Sequence, residues 1–410
     1  MKGKLIAKNT FYQVAARLAT SFIGFLITII IARKFGVIGF GDFTKVTSYV
    51  ALFYLFVDLG FNAVFLQYEK PNFKDLFYFR ISISILVFAM LNLVALFLPY
   101  NHILNTGFSS GLRTGIVIFS LGIFAQSIIL SSLAIFQKTI NYFYYMVGTV
   151  FGAILNLLFV LIFAFLNYSI VFIFASFVLS SLFSSFLLLK LTKENILPIG
   201  FSTRFAKEIF IKSFPIGMML IFNLVYFRAD IFLLSILSST RDVGIYGISY
   251  KFFDFLIALP LFLSNVVYPF LIKARPDNLA FLKITKKYFF IFLGLSIFVA
   301  IPFWFISPFF TLIKADFTNA IIPFRILLIS LPFFFTTSLL QWVLIARGEQ
   351  KYLMYVYLLA TIINILLNLI FIPQFSYIAS AAITVISEGL VFLLLVYKVI
   401  VNKNLPERGL

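Results

Sequence analysis

The chain contains no cysteine and one histidine, His102, in 410 residues. Without thiols there is no disulfide framework and no thiolate metal or redox centre. With one imidazole there is neither a histidine metal cluster nor a Ser-His-Asp triad. Charge is scarce as well: 11% of residues are charged, and only 14 acidic side chains stand against 32 basic ones. Hydrophobic residues make up 62% and the mean hydropathy is +1.10, which describes a chain whose solvent is mostly lipid. A net charge of +18 would suggest a nucleic-acid partner in a soluble protein. Here the basic residues fall mainly in loops, where the positive-inside rule accounts for them, and no nucleic-acid partner is expected.

Long polar connections are also missing, so there is no room for a soluble catalytic domain. The expectation is a protein that is not an enzyme, with no catalytic residue, no metal and no cofactor. What the chain has instead is apolar runs of about 20 residues, each long enough to cross a bilayer. Separated by polar or Pro/Gly-containing turns, they give about twelve spans. In the first half these are 11–33, 43–67, 76–99, 114–137, 142–165 and 168–190. In the second half they are 210–238, 246–272, 287–307, 320–346, 352–373 and 377–400. The turns around Asn167 and Phe375 carry no charge, which makes them the weakest boundaries. The N-terminal segment has the basic start of a signal peptide, but its apolar part is too long and Arg17 interrupts it, so it reads as an uncleaved first span.

Twelve spans place both termini on one side. With that side cytoplasmic, inner segments hold 22 of the 32 Lys and Arg and outer loops hold 7, an asymmetry that fixes orientation. Arg17, Arg228 and Arg325 are counted inside spans. The basic connections 190–212 and 273–287 could touch anionic headgroups of membrane lipids. The longest inner connection divides the chain into an N-terminal lobe, 1–200 with helices 1–6, and a C-terminal lobe, 201–410 with helices 7–12. Sliding the chain on itself by roughly 203 residues lays FGDF on VGIY and Asn62 on Asn265, which fits a duplicated unit in parallel orientation.

The stretch FPIGMMLIFNLVYFRADIFLLSILSSTRDVGIYGISYK, Phe214 to Lys251, sets Arg228 and Asp230 near the centre of an apolar run. A charge there costs about 3 kcal/mol or more on insertion scales and needs a reason. Residues two apart on a helix point away from each other, so Arg228 and Asp230 cannot pair easily. Each must find a partner on another helix, in a cavity or in a substrate. Arg228 has two open readings, a cavity contact or an ion pair with Asp58, Asp254 or Glu388. Arg17 could contact a cavity or snorkel to headgroups, and Arg325 reads as an interfacial anchor. Asp58, Asp230, Asp254 and Glu388 are candidates for cavity or ion-coupling roles, with Na⁺ or H⁺ as the coupling ion. Pro215, Pro260, Pro269, Pro302 and Pro332 read as helix kinks, and Gly24, Gly148, Gly152 and Gly217 as close helix contacts.

Three stretches together carry a family resemblance: KNTFYQVAARLATSFIGFLITIIIARKFGVIGFGDF, FVDLGFNAVFLQ, and RADIFLLSILSSTRDVGIYGISYKFFD with the later Pro260 and Pro269. The chain resembles the polysaccharide-exporter branch of the multidrug/oligosaccharidyl-lipid/polysaccharide (MOP) exporter superfamily, which includes the Wzx O-antigen flippases. The resemblance implies an all-α, MATE-like transporter fold, two six-helix lobes around a central cavity. The implied activity is flipping undecaprenyl-diphosphate-linked oligosaccharide units to the outer leaflet by alternating access, for O-antigen or capsule assembly. The implied place is the bacterial inner membrane, with polysaccharide polymerase machinery as a candidate partner. By matching stretches, Arg17 and Arg228 become candidate contacts for the substrate diphosphate, and a guanidinium suits that role because it binds phosphate through two parallel hydrogen bonds. Asn223, Asn265, Gln126 and Gln341 could contact the sugars. Two other readings stay open: a cation-coupled multidrug exporter of the same superfamily, using the intramembrane carboxylates, and a membrane polymerase or ligase.

Overall fold

Within lipid no water is available to satisfy the backbone, so a spanning chain must bond its amides internally as helix. The computed structural model describes residues 2–69 and 72–401, with the side chains of 2–7 and of Met219 left aside, and these residues are almost entirely helical. They divide into two compact units, 1–224 and 225–410.

The first unit begins with α1 (Lys2–Asp58) and a short α2 (Phe61–Phe65), followed by α3 (Phe73–Leu96). A two-residue antiparallel ribbon, β1 (Tyr100–Asn101) with β2 (Thr106–Gly107), leads to α4 (Ser110–Ser120) and α5 (Gly122–Lys138). Then come α6 (Tyr142–Phe165), α7 (Ile170–Thr192) and the start of α8 (Thr203–Leu237). The second unit holds the rest of α8, α9 (Thr240–Ala274), α10 (Asn278–Ile306), the single turn α11 (Phe310–Ile313), α12 (Ile321–Ala346) and α13 (Gln350–Val401). Its most buried member is α12, which packs against α9, α10 and α13.

Ten helical stretches among the described residues are long and apolar enough to span. Two of them are far too long for one crossing. The 57 residues of α1 would extend roughly 85 Å as a straight helix, against a hydrocarbon core of about 30 Å. Both long helices break once. Gly36 adopts φ 66°, ψ −169° in α1, a region essentially reserved for glycine. Ser376 adopts φ 49°, ψ −132° in α13, and its hydroxyl bonds that of Ser238 at 2.5 Å. Counting the two sides of each break separately yields twelve spanning segments.

Several expectations are corrected. The connection expected after residue 33 is helical apart from Gly36. The second span ends at Asp58, because Leu59 and Gly60 both take positive φ and turn the chain into α2. The two compact units meet in sequence within α8, at Leu224 and Val225. Residues of its first half pack in unit 1: Ile209 joins the buried cluster around Phe61, Phe65 and Phe77, and an added Cβ at Gly217 would lie 2.6 Å from Leu59. Lys45 and Arg80, counted as loop charges, are both fully buried. An added Cβ at Gly24 would meet nothing within 4 Å among the described residues, whereas Gly148 and Gly152 on α6 lie against Leu188 and Ser184 of α7. Ser184 Oγ donates to the Gly148 carbonyl at 2.8 Å, in space that a Cβ at Gly152 would fill.

Candidate functional site

The polar centre of the second unit is built where α8, α9, α12 and α13 converge. One helical turn of α8 presents Tyr226, Arg228 and Asp230. Arg228 Nη2 donates to Asp254 Oδ2 on α9 at 2.9 Å, and both side chains are about a quarter exposed, 26% and 24%. The guanidinium also lies over the Tyr250 ring, 5.3 Å from its centroid. Of the two open readings of Arg228, the ion pair with Asp254 is present, and the side chain retains an accessible face.

Asp230 is buried and, among the described residues, has no basic partner within bonding distance. Its Oδ1 accepts from the Ile231 amide at 2.7 Å. Its Oδ2 accepts from the Tyr246 hydroxyl and lies 3.5 Å from Thr384 Oγ1. Glu388 of α13 is 2% exposed and is also held by neutral donors. Tyr226 donates to Oε2 at 2.8 Å and Thr337 of α12 to Oε1 at 2.5 Å. Both buried carboxyls are thus held by neutral donors, and among the described residues neither has a basic side chain bonded to it. Between them lies a narrow cavity bordered by Tyr226, Asp230, Tyr250, Asn364, Thr384 and Ser387. It has room for about one water and is far too small for an oligosaccharide.

Asn364 donates to Ser387 at 3.1 Å, and Asn368 donates to the carbonyl and the side-chain oxygen of Asn364. None of these was singled out from the sequence. Their signal is the spacing Asn364, Asn368 and Ser380, Thr384, each pair four apart on apolar helix. That period places both members on one face, and a polar stripe in lipid must meet another helix.

The first unit contains a further residue that the sequence reading passed over. Arg80 of α3 donates through Nε to the Val57 carbonyl at 3.2 Å, through Nη1 to Ser131 Oγ at 3.1 Å and through Nη2 to Asn62 Oδ1 at 2.8 Å. The Phe61 ring lies 5.6 Å away. Asp58 is half-buried, within electrostatic reach of this guanidinium. Arg80 thereby ties the end of α1 to α2, α3 and α5. It lies seven residues into a 24-residue helix and was legible as an intramembrane charge.

Arg17 stands on the exposed face of α1, within electrostatic reach of Tyr145 on α6. Arg325 donates to Ser307 Oγ at 2.8 Å and lies over the Trp304 ring. Asn223 and Asn265 are exposed, and Gln126 and Gln341 are half-buried. Thus Arg228, Asp230, Asp254 and Glu388 come together in one unit, whereas Arg17, Asp58, Asn223 and Gln126 belong to the other.

The fold matches solved structures of the MOP superfamily. It superposes on a structure described as "Lipid II flippase MurJ, inward closed conformation" with a TM-score of 0.77 at 16% identity, over 95% of this chain and 87% of that one. An inward-facing multidrug resistance MATE family transporter gives 0.63 at 12% identity, over 96% and 95%. A MOP superfamily transporter from Pyrococcus furiosus, described as having a binding pocket of reversed polarity, gives 0.62 at 12%, over 98% and 96%. No curated protein matches the chain in sequence. The family described as polysaccharide biosynthesis protein matches residues 6–275, and the chain belongs to that family.

Proposed function

We propose that this protein is a flippase for undecaprenyl-diphosphate-linked oligosaccharide units, moving them from the inner to the outer leaflet of the bacterial inner membrane by alternating access. Its termini are cytoplasmic in this reading, its product feeds a surface polysaccharide, O-antigen or capsule, and it performs no covalent chemistry. The observation that carries the proposal is Arg228: an accessible guanidinium in the middle of an apolar helix, in a chain of the polysaccharide biosynthesis family. A diphosphate is the ligand for which such a group is suited, since two parallel N–H donors match its oxygens and the charge persists at any physiological pH. Asp254 holds the guanidinium in place until the substrate competes for it, and Arg17 is the proposed contact on the first unit.

Asp230 and Glu388 have a different role in this reading: they bind the Na⁺ or H⁺ whose gradient drives transport. The same carboxylates favour one rival reading, a cation-coupled multidrug exporter. The test is translocation of a fluorescent undecaprenyl-diphosphate oligosaccharide in proteoliposomes by wild type, Arg228→Ala and Arg228→Lys. Flipping by wild type, its loss in Arg228→Ala and partial activity in Arg228→Lys support the flippase. Export of cationic dyes with no movement of the lipid replaces it with the multidrug reading.

A further inference from the structure

A groove of about 470 Å³ opens between the beginning of α1 and the turn joining α5 to α6. This volume is in the range of small-ligand sites. One wall carries Lys8, Asn9 and Tyr12, the other Asn141, Phe143 and Tyr144. The two walls are fastened to each other. Asn9 Oδ1 accepts from the Tyr142 amide at 2.9 Å, and the Tyr12 ring meets Phe143 edge-on at 5.3 Å. Tyr144 is backed by Phe136, with ring centroids 6.1 Å apart. The groove is therefore pre-formed by its own side chains.

Thr139 spends its hydroxyl on the Ile135 carbonyl, but other donors of the lining are unspent among the described residues. Asn141 occupies the N-cap position of α6, yet its side chain makes no capping bond. Among the described residues the Tyr12 and Tyr144 hydroxyls have no hydrogen-bond partner, and Lys8 Nζ has no acidic partner, only the Tyr12 ring at 5.8 Å. Lys138 is one turn away but is committed to the carbonyls of Leu66 and Tyr68. Among the described residues no carboxylate lines the groove. This follows from the sequence, because both walls come from acid-free stretches: no Asp or Glu occurs in residues 1–41 or 76–193. The start of the 24-residue α6 adds the positive end of a helix dipole.

We infer that this groove binds a phosphate ester carried on a membrane lipid. Lys8 supplies the charge, Asn141, Tyr12 and Tyr144 donate to phosphate and hydroxyl oxygens, and the aromatic faces cover the glycerol or sugar next to the phosphate. The phosphate could belong to an anionic phospholipid or to a lipid diphosphate. Neither source requires the transport reading above.

The test measures binding to the full-length protein in neutral detergent. The probes are dioctanoyl-phosphatidylglycerol and dioctanoylglycerol, which lacks the phosphate. Wild type binds the first and not the second, and raising the salt concentration weakens the binding. Lys8→Ala weakens it about fivefold, as expected for one basic side chain at a membrane surface. Lys8→Arg retains it, and Tyr144→Phe, which removes only a hydroxyl, weakens it with an unchanged Tm. Competition by undecaprenyl diphosphate at lower concentration assigns the groove to a lipid-diphosphate, and failure to compete assigns it to phospholipid. Equal affinity for both glycerol lipids overturns the inference. So does unchanged binding in a folded Lys8→Ala, Asn141→Ala double variant.

Discussion

The two units each bury an arginine in the membrane, and they satisfy it in opposite ways. Arg80 in the first unit has no accessible surface, and all three of its bonds go to neutral acceptors fixed on other helices. Arg228 in the second is about a quarter exposed, rests on one carboxylate and lies within electrostatic reach of another, Asp230. A guanidinium with every nitrogen bonded to a fixed backbone, hydroxyl or amide oxygen and with no accessible surface joins helices and is out of a ligand's reach. One that keeps an accessible face and a single exchangeable partner can be recruited by a substrate. Burial in the membrane is shared, so it does not distinguish structure from function. The partners and the exposure do.

The most damaging single change expected from this contrast is Arg80→Met. It keeps much of the volume but leaves the Val57 carbonyl and Asn62 Oδ1 without a donor. Orphaned buried acceptors and the lost charge-assisted bonds together cost about 3 kcal/mol or more, read as a fall in Tm and in monodisperse yield. Arg80→Lys fails to rescue, since an ammonium cannot reach three acceptors arranged for a planar fork. Transport per folded molecule stays unchanged. A stable Arg80→Met variant that has lost transport would reverse the roles given to the two arginines.

A smaller effect on stability and a larger one on function are expected at Arg228 and Asp254. The pair is partly exposed, so each single variant costs about 1 kcal/mol after allowance for screening. Arg228→Ala abolishes translocation. Asp254→Asn frees the guanidinium and leaves substrate affinity equal to or above that of wild type. The Arg228→Ala, Asp254→Ala double variant recovers the stability lost by either single change and remains inactive. Full activity in that double variant makes the ion pair a structural fastening like the Arg80 hub.

Most of the architecture was legible in the sequence because hydropathy and length dominate in lipid: the apolar runs became helices at nearly the expected positions. What hydropathy cannot show is whether a polar residue between two runs breaks the helix. Gly36 and Ser376 break α1 and α13 by backbone torsion alone, with helix continuing on both sides. The site was partly legible. Arg228 needed a partner on another helix, and Asp254 provides it. Asp58 and Glu388, the other partners considered, lie with Arg80 and with Tyr226 and Thr337. The tyrosines and threonine that hold Asp230 and Glu388 were hidden, because a hydroxyl in an apolar helix has no distinctive pattern until the facing helix is known. Arg80 was missed for a simpler reason: the span that contains it was drawn correctly, but its charge was assigned to the adjoining loop.

Glu388→Gln separates charge from hydrogen bonding in the second unit and is expected to change stability least. The amide oxygen still accepts from Tyr226 and the amide nitrogen can donate to Thr337, since a hydroxyl serves as donor or acceptor. Stability should stay within about 0.5 kcal/mol of wild type. If Glu388 carries the coupling ion, the variant still binds the lipid substrate, but its translocation no longer responds to an imposed Na⁺ or H⁺ gradient. Wild-type gradient dependence in Glu388→Gln removes it from the coupling role and leaves Asp230, the other buried carboxylate held by neutral donors, to be tested by Asp230→Asn.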